Sequence, residues 1–529
     1  MKSVHFDKKK IIEIAVVCVF FFTYLVVGFS IYKDYGISAD EQVDYRRGQV
    51  NFDRWMGGSL AEFQNQCTQS QTICYYPSAF SMLLYAFAPS GDTQTIYLRR
   101  HLLTFAFFAC SVFIFYLIGK KIFKDWKLGL LGALFLIISP RIFAHSFYNP
   151  KDIPFLSAYV ISIYTLLLLL EKKNILTAIL HGLAIGLVCS IRTPGLVIIP
   201  ITLLFYLFDL FLSRDKWKSY LKAGIFLFID LILAAALVYW FTPYLYTNAV
   251  ANFIQIFNVM KQFPWVNYHL YMGKDIENQI PWHYSIVWFW ISSPVLYGIL
   301  FGAGCFAIAM RSIQSKTRDH FFALRDFYLV GACWFLPLAS VIVMKSVIYT
   351  DNRQMYFIYP ALLLFAVYGF KFLTDILRQK TLHWQWLTAI ILIAGLAYPV
   401  YFMVRYHPYQ YTYFNFLAGS KMSVVKQRFG LDTWGVSVKE GLEYIARTDP
   451  AQKINVKIIG TFNGGWLLLD KQDRKRLNVA APNPADYVIE TYRFYPLHPV
   501  SGGKVIYSIN VGDTDILAVY KMNGDLVDR

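Results

Sequence analysis

The chain has 529 residues, of which 57% are hydrophobic and 16% are charged, and its formal net charge is +17. Soluble domains carry about 25% charged residues and lack repeated apolar stretches of about 20 residues, so the composition excludes an ordinary soluble protein. The Lys and Arg excess sits in short connections between apolar runs, with no basic stripe interleaved with aromatics. That distribution argues against a nucleic-acid partner and for membrane sorting, with anionic lipid headgroups as further partners.

Taken in order, Lys8-Lys9-Lys10 precede an apolar run at 11–31 that is long enough to span, with no small-residue cleavage site behind it. It reads as a retained signal anchor. Further runs at 97–119, 128–147, 153–170, 174–190, 194–212, 222–242, 284–310, 327–347, 354–373 and 383–404 bring the expectation to about eleven transmembrane helices. Alternate connections are basic, for example Lys120, Lys121, Lys124 and Lys127, then Lys172 and Lys173, then Arg311, Lys316, Arg318 and Arg325. The positive-inside rule then places the N-terminus in the cytoplasm and, with an odd number of spans, the C-terminus outside.

The opposite connections form another population, rich in Tyr, Trp, Pro and His. They lie at 32–96, 141–152, Arg192-Thr193-Pro194, 243–283 and 345–353. The long ones predict helices lying in the interface plane, for example around Val50 to Phe63. After Arg405 the composition changes. Ser437-Val438-Lys439-Glu440 reads as a capping box opening a helix to about Arg447, followed by β-type runs at 456–459, 487–489, 505–507 and 516–520. The expectation is an α-helical polytopic membrane unit over 1–405, with 32–96 as its first outer loop, and a small extracytoplasmic α/β domain over 406–529.

Five of the seven cysteines fall inside apolar runs and read as small core residues. Cys67 and Cys74 share one polar loop. Outside the cytoplasm that loop favours a disulfide, with two free thiols as the alternative. No CxxC or HExxH spacing points to a metal.

The sidedness gathers polar groups on the outer face. Asp40 and Glu41 follow the first span. His145, Asn149, Lys151 and Asp152 lie on the second outer loop, Arg192 on the third, and Lys345, Tyr349, Asp351 and Arg353 on the fifth. Outer cations run against topological bias, and a lipid-linked phosphate is a natural reason for them. A carboxylate can take a proton from an attacking hydroxyl while Arg and Lys stabilise charge on a departing phosphate. Each residue also has a plainer reading: Glu41 as a loop cap, His145 as a satisfied interfacial histidine, Arg46 and Arg47 as headgroup anchors, and Asp432-Thr433-Trp434-Gly435 as a packing corner.

At these residues the chain resembles the polyprenyl-phosphate-sugar-dependent glycosyltransferases of the GT-C fold, relatives of protein O-mannosyltransferases and of the aminoarabinose transferase that modifies lipid A. The likeness rests on Asp40-Glu41 after the first span, on Pro140-Arg141…His145…Asp152, and on Tyr349-Thr350-Asp351-Asn352-Arg353…Pro360. His407-Pro408-Tyr409 with Asp432-Thr433-Trp434-Gly435 is similar to a bacterial subset with a C-terminal extracytoplasmic domain. The resemblance implies Asp40 as general base, Glu41 as its support and Asp152 as the second acidic position. It implies Arg353 on the donor phosphate, with Lys345, Arg192, Lys151 and Tyr349 as helpers, and His145, Asn149 and Arg47 near substrate. Some relatives hold a divalent metal ion at the second acidic position. Here Lys151 replaces the neighbouring acid, which leaves the metal open.

The function implied is an inverting membrane glycosyltransferase of a bacterial cytoplasmic membrane. It takes a sugar from a polyprenyl-phosphate donor and hands it to a glycan, lipid-linked saccharide or protein hydroxyl on the outer face. Two rivals stand beside it. One is an O-antigen-type polymerase or ligase using a pyrophosphate-linked glycan. The other is a lipid-sugar flippase, for which inverted repeats and mid-span charges or broken helices would be expected.

Overall fold

A computed structural model describes the chain except residues 1–7, 213–215, 262, 264–269, 278–279, 315–316, 349–350, 379–383, 461–462, 481–483, 493–499 and 523–529. Among the described residues, 9 helices are long and apolar enough to cross a membrane, from Lys8–Ile31 to Trp386–Arg405. Two of the expected eleven spans depart from that form. Ile175–Ile191 is a 17-residue helix, and the run at 128–147 is broken into Trp126–Ile137 and Pro140–Tyr148, bent by 70°.

Proline explains the break. The residue before a proline is driven from helical geometry, and Pro140 then opens the next helix at a position where its missing N–H costs nothing. The freed carbonyls are not left bare. Tyr297 Oη donates to Phe135 O at 3.0 Å and Ile138 O at 3.2 Å, and Ser139 Oγ donates to Phe135 O at 2.8 Å. The run at 284–310 breaks in the same way before Pro294, into Tyr284–Ser292 and Val295–Gln314. There Asn415 Nδ2 donates to Ser293 O at 2.8 Å and also to Trp290 O. Irregular backbone at membrane depth persists only where protein groups satisfy it.

Helices Val295–Gln314 and Tyr359–Arg378 cross closely. A Cβ at Gly304 would meet Phe365 O at 2.0 Å, and one at Gly369 would meet Leu300 O at 1.9 Å. Small residues let the two backbones approach, the usual device of membrane helix pairs.

The first long connection does not lie flat with an apolar face in lipid, as the sequence suggests around Val50 to Phe63. Its helix Glu41–Trp55 buries a polar face: Glu41, Asp44, Arg47, Gly48 and Asn51 are all inside. They meet Arg100 and His101 at the start of helix Thr93–Phe123. Asp44 accepts from Arg47 Nη1 and Arg100 Nη2, each at 2.9 Å, and from Ser81 Oγ at 2.7 Å. A buried carboxylate with two guanidinium partners and a hydroxyl is a satisfied network. Cys67 and Cys74 are joined by a disulfide within this connection.

Two short strands, β1 (Leu270–Tyr271) and β2 (Lys274–Asp275), form an antiparallel ribbon in the other long connection. The C-terminal sheet comprises β3 (Ile454–Ile459), β4 (Leu477–Asn478), β5 (Tyr487–Glu490), β6 (Gly503–Val511) and β7 (Thr514–Met522), in the order β4-β3-β5-β7-β6. β3 runs parallel to β4 and β5, while β7 is antiparallel to β5 and β6. The helix Val438–Thr448 packs on this sheet, with Gly441 against Ile489 and Leu517.

The expected capping box is not formed. Ser437 Oγ donates to buried Asp432 instead, and Glu440 accepts from the hydroxyls of Tyr409 and Tyr507. A buried carboxylate needs donors more than an exposed helix end does. Between the last span and this helix the chain returns into the bundle, where Tyr409, Tyr411, Tyr413 and Phe414 are buried. The C-terminal part rests on the first connection: Lys439 Nζ donates to Lys33 O at 2.6 Å, and Gln94 Nε2 to Leu468 O at 2.7 Å.

Candidate active site

The segment between Ile31 and Glu41 is held from several sides. Tyr35 stacks on Phe147 with centroids 4.5 Å apart, and its hydroxyl donates to Gln410 Oε1 at 3.1 Å. Ser38 Oγ donates to Tyr148 O at 3.0 Å, and Ser38 N to Glu41 Oε2 at 2.8 Å. Ala39 N donates to Trp434 O at 3.0 Å. Glu41 therefore folds back onto its own loop and reaches His101 Nε2 at 3.0 Å. It is 1% exposed, with one oxygen on Ser38 N and the other on His101. Asp40, next door, keeps 33% of its side chain exposed.

Two cations meet Asp40. Arg353 Nη1 lies 3.0 Å and Lys151 Nζ 3.3 Å from its Oδ2. The same Arg353 nitrogen reaches Asp152 Oδ2 at 2.9 Å, so one guanidinium bridges the two acidic loops. Asp152 Oδ1 is taken by Arg192. Asn149 completes the second loop. Its Oδ1 accepts from Asp152 N at 2.9 Å and Lys151 N at 3.2 Å, and its Nδ2 donates to Asp152 Oδ2 at 3.0 Å. Asn149 Nδ2 also lies 3.0 Å from His145 Nδ1. Asp152 is buried with its oxygens occupied; it fixes Arg353 and Arg192, and Asp40 is the accessible acid.

Arg353 is set from behind. Its guanidinium lies 4.3 Å from the Trp434 ring centroid, and its backbone N donates to Asp351 Oδ1 at 2.7 Å. Asp351 has φ of +66°, a left-handed conformation costly for a side chain with a Cβ and held here by its surroundings. Tyr284 Oη donates to its carbonyl at 3.2 Å, and Arg141 lies 3.7 Å from its Oδ2.

The charges shift one another. Burial works to raise the Asp40 carboxyl, but Arg353 and Lys151 outweigh it and hold the group well below the ordinary carboxylate range. Burial lowers the Lys151 ammonium, with Asp40 opposing. Burial raises Asp351 against the pull of Arg141 and Arg353. Asp40 is thus held as a carboxylate, and both of its cations meet it at Oδ2.

Asp40, Lys151, Asp152, Arg192, Asn149, His145 and Arg353 come together in this way. Other expected residues do not. Lys345 is exposed and has no hydrogen bond or ion pair with this group among the described residues. Tyr349 lies outside the described residues. Arg47 makes its bonds to Asp44 and Thr72 O and sits 4.8 Å from the Tyr76 ring centroid; it does not bond to Asp40, though its charge helps to hold that carboxyl down. His145 stands edge-on to Trp434 at 5.1 Å, and its Nε2 has no partner among the described residues.

Sequence reasoning omits Tyr76, whose ring lies 4.8 Å from Lys151 Nζ, and treats Trp434 as packing alone. The Asp432-Thr433-Trp434-Gly435 motif is the signal for the latter: Asp432 ties down Gly435 N at 2.8 Å and so aims Trp434 at Arg353.

The donor set does not suit a divalent cation. Asp40 Oδ2 and both Asp152 oxygens go to guanidinium and ammonium groups, and no cluster of three or more His, Cys, Asp or Glu side chains among the described residues is placed to hold a metal ion. The residues as arranged do not fit one.

Residues 93–240 match the sequence model of a family described as dolichyl-phosphate-mannose-protein mannosyltransferase. The match is to a sugar-transferase family. It covers well under half of the chain and includes Lys151, Asp152 and Arg192, while Asp40 and Arg353 lie outside it. The sequence resemblance to membrane glycosyltransferases is therefore shared by an independent comparison.

No curated protein matches. Among solved structures, the apo form of ArnT from Cupriavidus metallidurans is similar at 12% identity and a TM-score of 0.47, over 96% of this chain and 97% of that one. The same protein bound to undecaprenyl phosphate matches over 95% and 97% at 12% identity and a TM-score of 0.47. The oligosaccharyltransferase AglB of Archaeoglobus fulgidus, in complex with an inhibitory peptide and a dolichol-phosphate, is similar at 12% identity and a TM-score of 0.44, over 79% of this chain. The chain spans 62% of that protein's length.

Proposed function

We propose that this protein is a membrane glycosyltransferase that moves a sugar from a polyprenyl-phosphate donor to an acceptor hydroxyl. The observation that carries the reading is the single Arg353 nitrogen shared between Asp40 and Asp152, with Lys151 and Arg192 on either flank. A phosphate entering this nook finds two cations whose carboxylate partners are already fixed. Arg353 and Lys151 turn from Asp40 to the phosphate oxygens, for which a guanidinium fork is well shaped. Asp152 and Trp434 keep Arg353 in place during that exchange.

Losing its cations makes Asp40 a stronger base. It accepts the proton of the acceptor hydroxyl as that oxygen attacks the anomeric carbon. The bond from that carbon to the phosphate oxygen breaks, and its electron pair leaves on the phosphate, where Arg353 and Lys151 stabilise it. The products are the glycosylated acceptor, polyprenyl phosphate and one proton, with inversion at the sugar carbon. The site lies at the ends of the spans, where a lipid-linked donor arrives by lateral diffusion. The positive-inside pattern supports an extracytoplasmic face of a bacterial cytoplasmic membrane. Acceptors of three kinds fit this chemistry: a glycan, a lipid-linked saccharide or a protein.

The test uses purified protein and a radiolabelled polyprenyl-phosphate sugar, with release of polyprenyl phosphate and label transfer as readouts. Wild type releases polyprenyl phosphate and Asp40→Asn does not. Full transfer by the variant would end this mechanism.

A further inference from the structure

A second polar cleft, of about 380 Å³, shares no lining residue with the Asp40 group and lies where the ends of the first and last spans meet the C-terminal part. Asp34 and His407, which follow the two spans, line its floor, and Glu443, Arg447, Tyr444 and Tyr507 of the C-terminal part line its wall. We infer that it takes the headgroup of a zwitterionic phospholipid bearing a primary ammonium.

Position is the first reason. Asp34 follows directly on the helix Lys8–Ile31, and His407 on the helix Trp384–Arg405, so the floor lies level with the ends of two spans. Both helices show apolar side chains to the outside close to those ends: Phe29 is 45% exposed and Val404 76%. A lipid with its head in the cleft would find apolar surface for its tails directly below. A free saccharide would have no use for that surface.

Charge is the second reason. The cleft offers both signs, and its charges are incompletely paired. Asp34 and Glu443 keep 47% and 50% of their side chains exposed. Asp34 has His407 Nε2 at 2.8 Å, and the nearest cation to Glu443 is Lys439 at 3.8 Å. Lys439 spends its own hydrogen bonds on Lys33 O and Asp34 O. Arg447 is exposed, and its guanidinium acts on Glu443 and Tyr507 through charge without a side-chain hydrogen bond or close ion pair to either. Two open carboxylates suit an ammonium, and an open guanidinium suits a phosphate. An anionic headgroup without an amine would leave the carboxylates facing its negative charge.

The third reason is rigidity. Tyr444 and Tyr507 stack at 4.2 Å with planes 13° apart, and Glu440 is fixed between the hydroxyls of Tyr409 and Tyr507. The wall is therefore preformed, as ligand sites usually are. A lipid bound here would touch both spans and the C-terminal helix at once.

The experiment uses the full chain, reconstituted in nanodiscs of equimolar phosphatidylethanolamine and phosphatidylglycerol and released into native mass spectrometry. Wild type should retain a phosphatidylethanolamine molecule in preference to phosphatidylglycerol. Glu443→Gln with Arg447→Ala should lower that retention roughly tenfold, the order expected for losing hydrogen bonds to charged groups. Arg447→Lys, which keeps the cation, should preserve it. The side chains changed are exposed, so folding is expected to survive, and Arg447→Ala alone serves if the double variant does not fold.

Equal retention of the two lipids by wild type overturns the inference, as does an unchanged preference in the double or single variant. The readout needs no turnover, so its failure and that of the transferase reading are separable.

Discussion

Replacing Asp40 by Asn should separate two effects that the resting ion pair ties together. Asp40 shares Arg353 at 3.0 Å and Lys151 at 3.3 Å. A hydrogen bond to a charged group contributes about 1.5–3 kcal/mol net, and the 33% exposure of Asp40 moves each toward the lower end. Freed from that competition, the two cations should hold a phosphate more tightly by about 1.4 kcal/mol, or roughly tenfold in Kd. The same substitution removes the base and should lower kcat by about 10²–10⁴. The variant is thus expected to bind polyprenyl phosphate better and to transfer sugar far worse. Titration of polyprenyl phosphate into detergent-solubilised protein by calorimetry measures the first effect; single-turnover release of labelled lipid measures the second. Unchanged or weaker phosphate binding would refute the competition argument, and near wild-type turnover would refute the base.

Arg353→Ala should both raise the donor KM and lower stability by about 3–5 kcal/mol, because buried Asp152 loses a partner; thermal unfolding and initial rates read the two effects. Arg353→Lys should recover part of the stability but not the stacked, bridging geometry. Trp434→Ala should raise the donor KM by up to about tenfold through lost cation–π contact, with Trp434→Phe recovering most of it. The C-terminal sheet carries a pH signature of its own. Burial, with Lys426 opposing, lifts Glu490 from 4.5 to about 7. Between those values the unfolded chain binds fewer protons than the folded one, so stability falls as pH rises through that window and levels above it. Glu490→Gln should flatten that slope in unfolding curves taken from pH 4 to pH 8.

The spans are readable because an apolar window of about 20 residues rarely forms anything but a membrane helix. Their breaks are not, although Pro140 and Pro294 stand in plain view inside the runs. Hydropathy is insensitive to a missing N–H, and the groups that make the breaks tolerable, Tyr297 and Asn415, arrive from far along the chain. Asp40, Lys151, Asp152 and Arg353 can be singled out because outer-face charges at span ends demand a reason. Glu41 stands beside Asp40 by adjacency alone. In fact successive residues at a helix start point apart, and Glu41 turns to His101. Asp44 and Arg100 go unremarked in the sequence and Arg47 reads as a headgroup anchor, since nothing local reveals that a polar helix face is buried. The Asp432-Thr433-Trp434-Gly435 motif marks Trp434, but its contact with Arg353 is tertiary and the motif does not name that partner.

The base loop leaves the first span, yet its backbone is fastened by residues near the far end of the chain: Tyr35 waits for Gln410, 375 residues on, and Ala39 for Trp434. During synthesis the carboxylate therefore exists long before anything holds it in register. Catalytic competence becomes a late event, conferred when the last span and its following corner have emerged and folded back. A chain cut short after the final span keeps nearly every charged residue of the site, but it has no Trp434 to seat Arg353 and no anchor for Ala39. On the proposed mechanism, the site waits for the segment that follows the last span, as far as Trp434.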